Sequence, residues 1–338
     1  MSRRLPIYIL LDCSESMAGE PLEAVEVGVY TMISALKKNP YAIETAFLSI
    51  ITFDAKARTL VPLTEISAVA PPSLSIRPGT SLGAALDLVR ESISRDVKQT
   101  TLESKGDFKP MVFIMTDGQP TDDWQGPIAR LKAVKPHLAQ IYAIGCGDDV
   151  DFETLSQIAD VCIHNKTLST ESVAKLFVWL SASVQSQSAT PESAISLEKK
   201  IPLEKGMELI NTDSPPKFTG QNKRLSFHVT CLNTKQPYMM RFKLYPGGSF
   251  FMADDVVKLP LDFFSDGAMK SPPVDTSLLQ GVHICPFCGA DGWGKCGFCG
   301  HLFCLTPQTP SRIVCPVCET NLALSSNTDS FSIDGSQG

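Results

Sequence analysis

Residues Leu10–Met17 read LLDCSESM: an apolar run stops at an aspartate, and serines follow at alternate positions. Extended backbone sends every second side chain to the same side, so Asp12, Ser14 and Ser16 can offer a carboxylate and two hydroxyls to one point. A competing reading takes Arg3 and Arg4, followed by the apolar stretch Leu5–Leu11, as an export signal. That stretch is short for the role, and Asp12 stands where a small neutral residue should precede a cleavage point. The run is therefore expected as a buried strand with a site at its end.

The surrounding 185 residues alternate strand and helix. PIYILLD, TAFLSIITF, KPMVFIMTDG and QIYAIGCGDD read as strands ending in turn residues, and PLEAVEVGVYTMISALKK and SLGAALDLVRESISRDV as amphipathic helices. Such alternation implies an α/β, doubly wound, mostly parallel sheet covered on both faces. In open sheets of this kind, ligands gather at the carboxyl ends of the strands. Two further polar turns belong at that edge: RPGTSLG, carrying Thr80, and MVFIMTDG, where Asp117 closes a strand. Two carboxylates and three hydroxyls suit a hard cation, Mg²⁺ or Mn²⁺, in octahedral oxygen coordination. A shell left incomplete keeps a position for a partner's carboxylate. No nucleophile or general base accompanies these motifs, so no catalytic residue is assigned and the chain is read as non-enzymatic.

DCSESM resembles the DxSxS signature of von Willebrand factor A (VWA) domains. Their metal-ion-dependent adhesion site adds a Thr from a second loop and an Asp from a third. Asp12, Ser14, Ser16, Thr80 and Asp117 match that pattern, and the resemblance implies a VWA fold over residues 1–185 and binding rather than catalysis. Asp148 and Asp149 are read as helix-capping residues rather than rim ligands. Trp124 is read equally as packing or as part of the adhesive face, and Cys13 as pointing to the core. His137, His164 and His228 are read as packing or surface residues.

Of eleven cysteines, seven crowd the segment from Cys285 to Cys318, within CPFC, CGFC, HLFC and CPVC. Two residues between donors lets a tight turn aim both at one metal. Cys285, Cys288, Cys296, Cys299, His301, Cys304, Cys315 and Cys318 make eight donors, the number for two tetrahedral Zn²⁺ ions. Three groupings of the four pairs are possible, including a cross-braced one that joins first with third and second with fourth. One Zn²⁺ with spare thiols is the lesser option, and His283 is a weaker candidate because it lacks paired spacing. Thiols in this pattern point to a reducing compartment, and a cytoplasmic protein is expected.

The net charge of −6 argues against nucleic acid. No apolar run is long enough to cross a bilayer. Residues 186–214 read as a linker, 215–324 as a small β-rich zinc-binding domain with period-two strands, and 325–338 as a disordered tail whose hydroxyls could accept phosphate. The VWA half, the string TDGQPTDDW, the β-rich connector and the Cys-rich end together resemble the TerY family of tellurite-resistance proteins, with its C-terminal TerY-C metal-binding domain. That resemblance implies a bacterial stress-response protein associated with a protein kinase and a PP2C-type phosphatase. Readings of other classes are a zinc-containing VWA subunit of a repair or transcription complex, a RING-type ubiquitin ligase, and a metal-assisted hydrolase.

Overall fold

The computed structural model describes residues 3–133, 138–147, 150–189, 201–217, 224–245, 247–263, 273–324 and 330–334. They fall into two units, Met1–Phe218 and Thr219–Gly338. The first holds β1 (Leu5–Asp12), α1 (Glu20–Lys38), α2 (Pro40–Thr45), β2 (Ala46–Phe53), β3 (Ala57–Glu65), α3 (Leu82–Asp96), β4 (Met111–Thr116), α4 (Gln125–Ala133), β5 (Gln140–Cys146), α5 (Phe152–Ile158), β6 (Val161–Asn165), α6 (Thr170–Ala189) and β7 (Met207–Ile210).

All eight residues of β1 are buried. A strand covered on both faces has no polar face, which is why it reads as an unbroken apolar run. Helices α3, α4 and α5 cover one face: Leu86, Val89, Leu131 and Phe152 share a core with Tyr8, Leu10, Val112 and Ile114. Alternation sends Ile7, Ile9 and Leu11 the other way, where α1, α2 and α6 form the second layer. Helix α1 buries Val25, Val29, Met32, Ile33 and Leu36 along one stripe and carries Lys37 and Lys38 in its last turn, where positive charge suits the helix dipole.

The strand order is β3-β2-β1-β4-β5-β6-β7. The five central strands run parallel, and the edge strands β3 and β7 run antiparallel to their neighbours. The chain winds outward from β1 through β2 to β3, then crosses back to lay β4 on the other side of β1. Strand order thus reverses between β1 and β4, and a crevice opens beyond their carboxyl ends. Asp12 and Asp117 lie there.

The second unit has β8 (Arg224–Thr230), β9 (Pro237–Leu244), β10 (Phe251–Lys258), β11 (Pro273–Asp275), β12 (Leu279–Gln280), β13 (Gly292–Lys295), β14 (Leu302–Leu305), β15 (Arg312–Val314), β16 (Asn321–Ala323) and β17 (Ser332–Asp334). Its main sheet is ordered β12-β10-β9-β8-β14-β13, with β11-β17 and β15-β16 as separate ribbons. The β8–β9–β10 meander is antiparallel, as the period-two pattern implies. The Cys-rich segment joins it through β14, which pairs with β8 (Leu302 with Val229, Phe303 with Thr230).

Two boundaries differ from expectation. Part of the expected linker, Met207–Ile210, is β7 and pairs with β6; its four residues are too few to carry a readable period. Part of the expected disordered tail, Ser332–Asp334, is β17 and pairs with β11, burying Ile333. Its partner is far away in sequence, so no local signal marks it. His137, Asp148 and Asp149 lie outside the described residues, as do 190–200, 325–329 and 335–338.

Gly28 sets the spacing of α1 and α6. A Cβ there would come within 2.1 Å of the Phe177 ring, and Phe177 is fully buried. Overpacking against a 2.1 Å approach outweighs the ~1 kcal/mol that alanine contributes to helix propensity, so replacing Gly28 by Ala is expected to destabilise the first unit by a net of about 1–2 kcal/mol. Urea unfolding followed by circular dichroism checks this, and an unchanged midpoint contradicts it.

Candidate metal centres

In the first unit the chain turns sharply after β1, and the Ser14 amide donates to Asp12 Oδ1 at 2.9 Å. The Ser14 and Ser16 hydroxyl oxygens are hydrogen-bonded at 2.9 Å. Ser16 Oγ in turn donates to Asp117 Oδ1 at 2.7 Å, across 101 residues of sequence. The Thr116 hydroxyl, at the end of β4, donates to Asp12 Oδ2 at 2.5 Å and accepts from the Gly118 amide. Asp12, Ser14, Ser16 and Asp117 therefore form one connected oxygen cluster.

Thr80 is held to this cluster through the third loop. Its amide donates to Thr121 Oγ1 at 2.9 Å, and the Thr121 amide returns a bond to the Thr80 carbonyl at 2.9 Å. Next to it, the Asp122 carboxylate accepts from the Gly83 and Ala84 amides, both at 2.9 Å. These are amides of the first turn of α3, which lack partners within the helix. The loops approach so closely that a Cβ on Gly83 would meet the Asp123 carbonyl at 2.1 Å. Thr116, Thr121 and Asp122 were not among the residues the motif singled out. Thr116 acts through the distant Asp12 side chain, and Thr121 and Asp122 through distant backbone amides, none of which the string TDGQPTDD displays.

Asp12 is almost fully buried, and Thr80 and Asp117 nearly so. Burial and the nearby Asp117 carboxylate push the Asp12 carboxyl well above the usual carboxylate range, against the bonds from Ser14 and Thr116. Two buried acids beside hydroxyl oxygens form a hard donor set that a divalent cation would relieve. Cys13 and Cys146 do not compete for it. Burial, with Asp12 acting on Cys13 and Asp117 on Cys146, drives both thiols strongly upward and keeps them protonated. Trp124 is partly buried against the α3–α5 core.

The second unit holds two sets of four thiols, each set with its sulfurs within 4.8 Å of one another: Cys231, Cys285, Cys288 and Cys304, then Cys296, Cys299, Cys315 and Cys318. Four turns of one design deliver most of them. The amides of Cys285, Cys296 and Cys315 donate five residues on, to the carbonyls of Ala290, His301 and Thr320, and those of Gly289, Gly300 and Glu319 donate back. The residue closing each turn has a left-handed φ (74° at Gly289, 77° at Gly300, 60° at Glu319), where glycine is the unstrained choice. The β8–β9 connection repeats the pattern. Cys231 donates to the Gln236 carbonyl, Lys235 donates back to Cys231, and Lys235 has φ 60°. Thr234 stands where the other turns have their second cysteine.

A family model for the von Willebrand factor type A domain matches residues 7–177, just over half of the chain, and one for the TerY-C metal binding domain matches residues 223–338. The chain belongs to the von Willebrand factor type A family. Within it, the pairing with TerY-C is the architecture of TerY proteins. An uncharacterised protein of Synechocystis is 27% identical over 167 residues, covering 46% of this chain and 36% of that protein. A von Willebrand factor A domain-containing protein of Dictyostelium discoideum is 26% identical over 167 residues, 48% of this chain and 17% of its own. This chain thus spans well under half the length of either relative. Among solved structures, a von Willebrand factor type A protein of Catenulispora acidiphila is similar at 18% identity, with a TM-score of 0.44, covering 54% of this chain and 43% of that one. The proximal thread matrix protein 1 of mussel byssus is similar at 21% identity, with a TM-score of 0.41 and coverages of 54% and 48%.

In this VWA–TerY-C chain the eighth soft donor is Cys231, not His301. The HLFC spacing misleads because Leu302–Leu305 is strand β14: residues three apart on a strand face opposite sides, so His301 and Cys304 cannot converge. Instead the His301 carbonyl closes the Cys296 turn, and its Nε2 is hydrogen-bonded to Thr230 Oγ1 at 2.8 Å. Burial pushes the imidazole down to about 4, so it stays neutral. Cys304 instead sits beside the β8–β9 turn, where the Leu232 amide donates to its sulfur at 3.3 Å. His283 belongs to neither set; its Nε2 is hydrogen-bonded to the Arg241 carbonyl. The grouping is the cross-braced one: the first CxxC pair with Cys304, the second with the fourth.

Two measurements check these assignments. Cys231→Ser is expected to lose one equivalent of bound metal by elemental analysis while His301→Asn keeps the full content; the reverse result overturns the donor set. For the cation site, Asp12 must lose its proton before it can bind an ion. Its folded-state value is raised, so in the ion-free unit this group's contribution to stability falls as pH rises from the ordinary aspartate range through the raised value. Cation affinity should therefore climb with pH between about 6 and about 8, as titration calorimetry with Mg²⁺ at the two values would show.

Proposed function

We propose that this protein is a divalent-cation-dependent protein-interaction scaffold, with its adhesive site at Asp12, Ser14, Ser16, Thr80 and Asp117. The observation that carries the reading is the hydrogen-bonded oxygen cluster joining β1 and β4 across the switch point, two of whose members are buried acids. These residues fit a hard cation such as Mg²⁺ or Mn²⁺. When bound, the ion supplies an electrophilic position that a partner's Asp or Glu can occupy. The chain's own groups perform the rest: Asp12 and Asp117 offset charge, and the Ser14, Ser16 and Thr80 hydroxyls add neutral oxygens. Thr116, Thr121 and Asp122 hold the three loops together. The reading is non-enzymatic.

The two cysteine sets fit two tetrahedral Zn²⁺ ions, since four mutually close thiols are the donor set of a closed structural site. Cys231, Cys285, Cys288 and Cys304 would hold one ion, and Cys296, Cys299, Cys315 and Cys318 the other. The resemblance to TerY proteins supports placement in a bacterial tellurite-resistance or stress-response system, with a protein kinase and a PP2C-type phosphatase as partners. The number of thiols supports a reducing, cytoplasmic setting. Among the described residues no helix is long and apolar enough to cross a membrane.

Affinity capture on the full chain, with Mg²⁺ or with EDTA and read by mass spectrometry, tests the proposal. Partners retained in Mg²⁺ should be lost in EDTA and lost again with Asp12→Ala or Asp117→Ala, both of which should keep native circular dichroism. Capture indifferent to all three changes places the interaction elsewhere. Metal-dependent phosphate release that disappears with Asp12→Ala overturns the non-enzymatic reading.

A further inference from the structure

The two thiol sets share a turn design but not an environment. Cys231, Cys285 and Cys304 are buried within the main core of the second unit, among Phe227, Val229, Tyr238 and Leu302. In the other set Cys296 and Cys315 are buried, but Cys299 and Cys318 are exposed. The core beneath that set has four buried residues, Cys296, Phe303, Ile313 and Cys315, with Leu232, Leu305, Leu322 and Leu324 packed partly buried against them, and neighbouring apolar side chains stand in solvent, with Phe298 76% and Val317 50% exposed. Two of its four sulfurs are therefore open to a small reagent without any opening of the fold. Of the inner set only Cys288 is part-exposed, and it packs against that core; the other three sulfurs become accessible only through disruption of the main sheet.

We propose that Cys296, Cys299, Cys315 and Cys318 form a peroxide-sensitive modification site that releases its metal on oxidation while the inner site keeps its own. The inference rests on the reading that both sets hold zinc. The sulfurs of Cys296 and Cys318 lie 3.7 Å apart, and those of Cys299 and Cys315 3.8 Å apart, so the nearest bonds link the two turns. Each disulfide forms when a thiolate pair gives two electrons to one hydroperoxide molecule, which takes up two protons and leaves, for hydrogen peroxide, as two waters. Two such steps consume all four thiolates and free one Zn²⁺. Exposed thiolates react in preference to buried ones, and the ribbon β15–β16 has too few buried residues to stay ordered without its ion. Cys13 and Cys146 in the first unit are no competitors, because both are buried.

The test uses the full-length protein with its native metal. Elemental analysis first gives the zinc content. Hydrogen peroxide is then added while free zinc is read with a chromogenic chelator, and alkylation with peptide mapping locates the oxidised residues. The expected result is two equivalents of zinc at the start, one released early, and disulfides confined to Cys296, Cys299, Cys315 and Cys318. Reductant plus zinc should restore the starting content. Two equivalents at the start with both released together, or with the inner cysteines oxidised first, overturns this inference and leaves the zinc reading intact. A protein that contains no zinc as isolated overturns both.

Discussion

Two aspartates on adjacent parallel strands end beside each other in a crevice largely closed to water, and most of the first unit is organised to keep them there. Like charges in a desolvated place repel, which is why Asp12 holds its proton so far above the normal range. The fold sets hydroxyl donors against that repulsion: Ser16 donates to Asp117 and Thr116 to Asp12. Such donors stabilise the acids without neutralising them, and leave charge for an ion to meet. A lysine in the same place would satisfy the acids and end their usefulness to a cation.

The three loops around that point are fixed to one another rather than to solvent. Thr121 pairs reciprocally with Thr80, and Asp122 caps α3, so the second loop and the third move as one piece. Ligands arranged in advance in this way do not lose conformational freedom on binding. The thiol sites are built on a different device, a repeated turn closed by paired backbone hydrogen bonds.

The parts of this design written in contiguous sequence were legible. An apolar run ending in DxSxS, a strand ending in TDG and CxxC pairs each describe a local geometry, and the structure has strands and turns at those places. What escaped were residues whose meaning depends on a partner far away. Cys231 looks like any strand cysteine until β14 lies against β8 and brings Cys304 beside it. His301 looks like half of a ligand pair until the backbone around it proves extended. The strands β7 and β17 are too short to announce themselves, and exist because a neighbouring edge offers unpaired amides and carbonyls.

Hydrophobic periodicity was enough to read the α/β architecture, motif resemblance the family, and donor spacing the candidate metal ligands, because those signals act over a few residues and need no knowledge of the rest of the chain. Which thiols group together, which sulfurs meet solvent, and how Thr80 is tied to Thr121, 41 residues downstream, depend on strand order and register. Those follow from the global balance of burial against chain entropy, and no short stretch contains them.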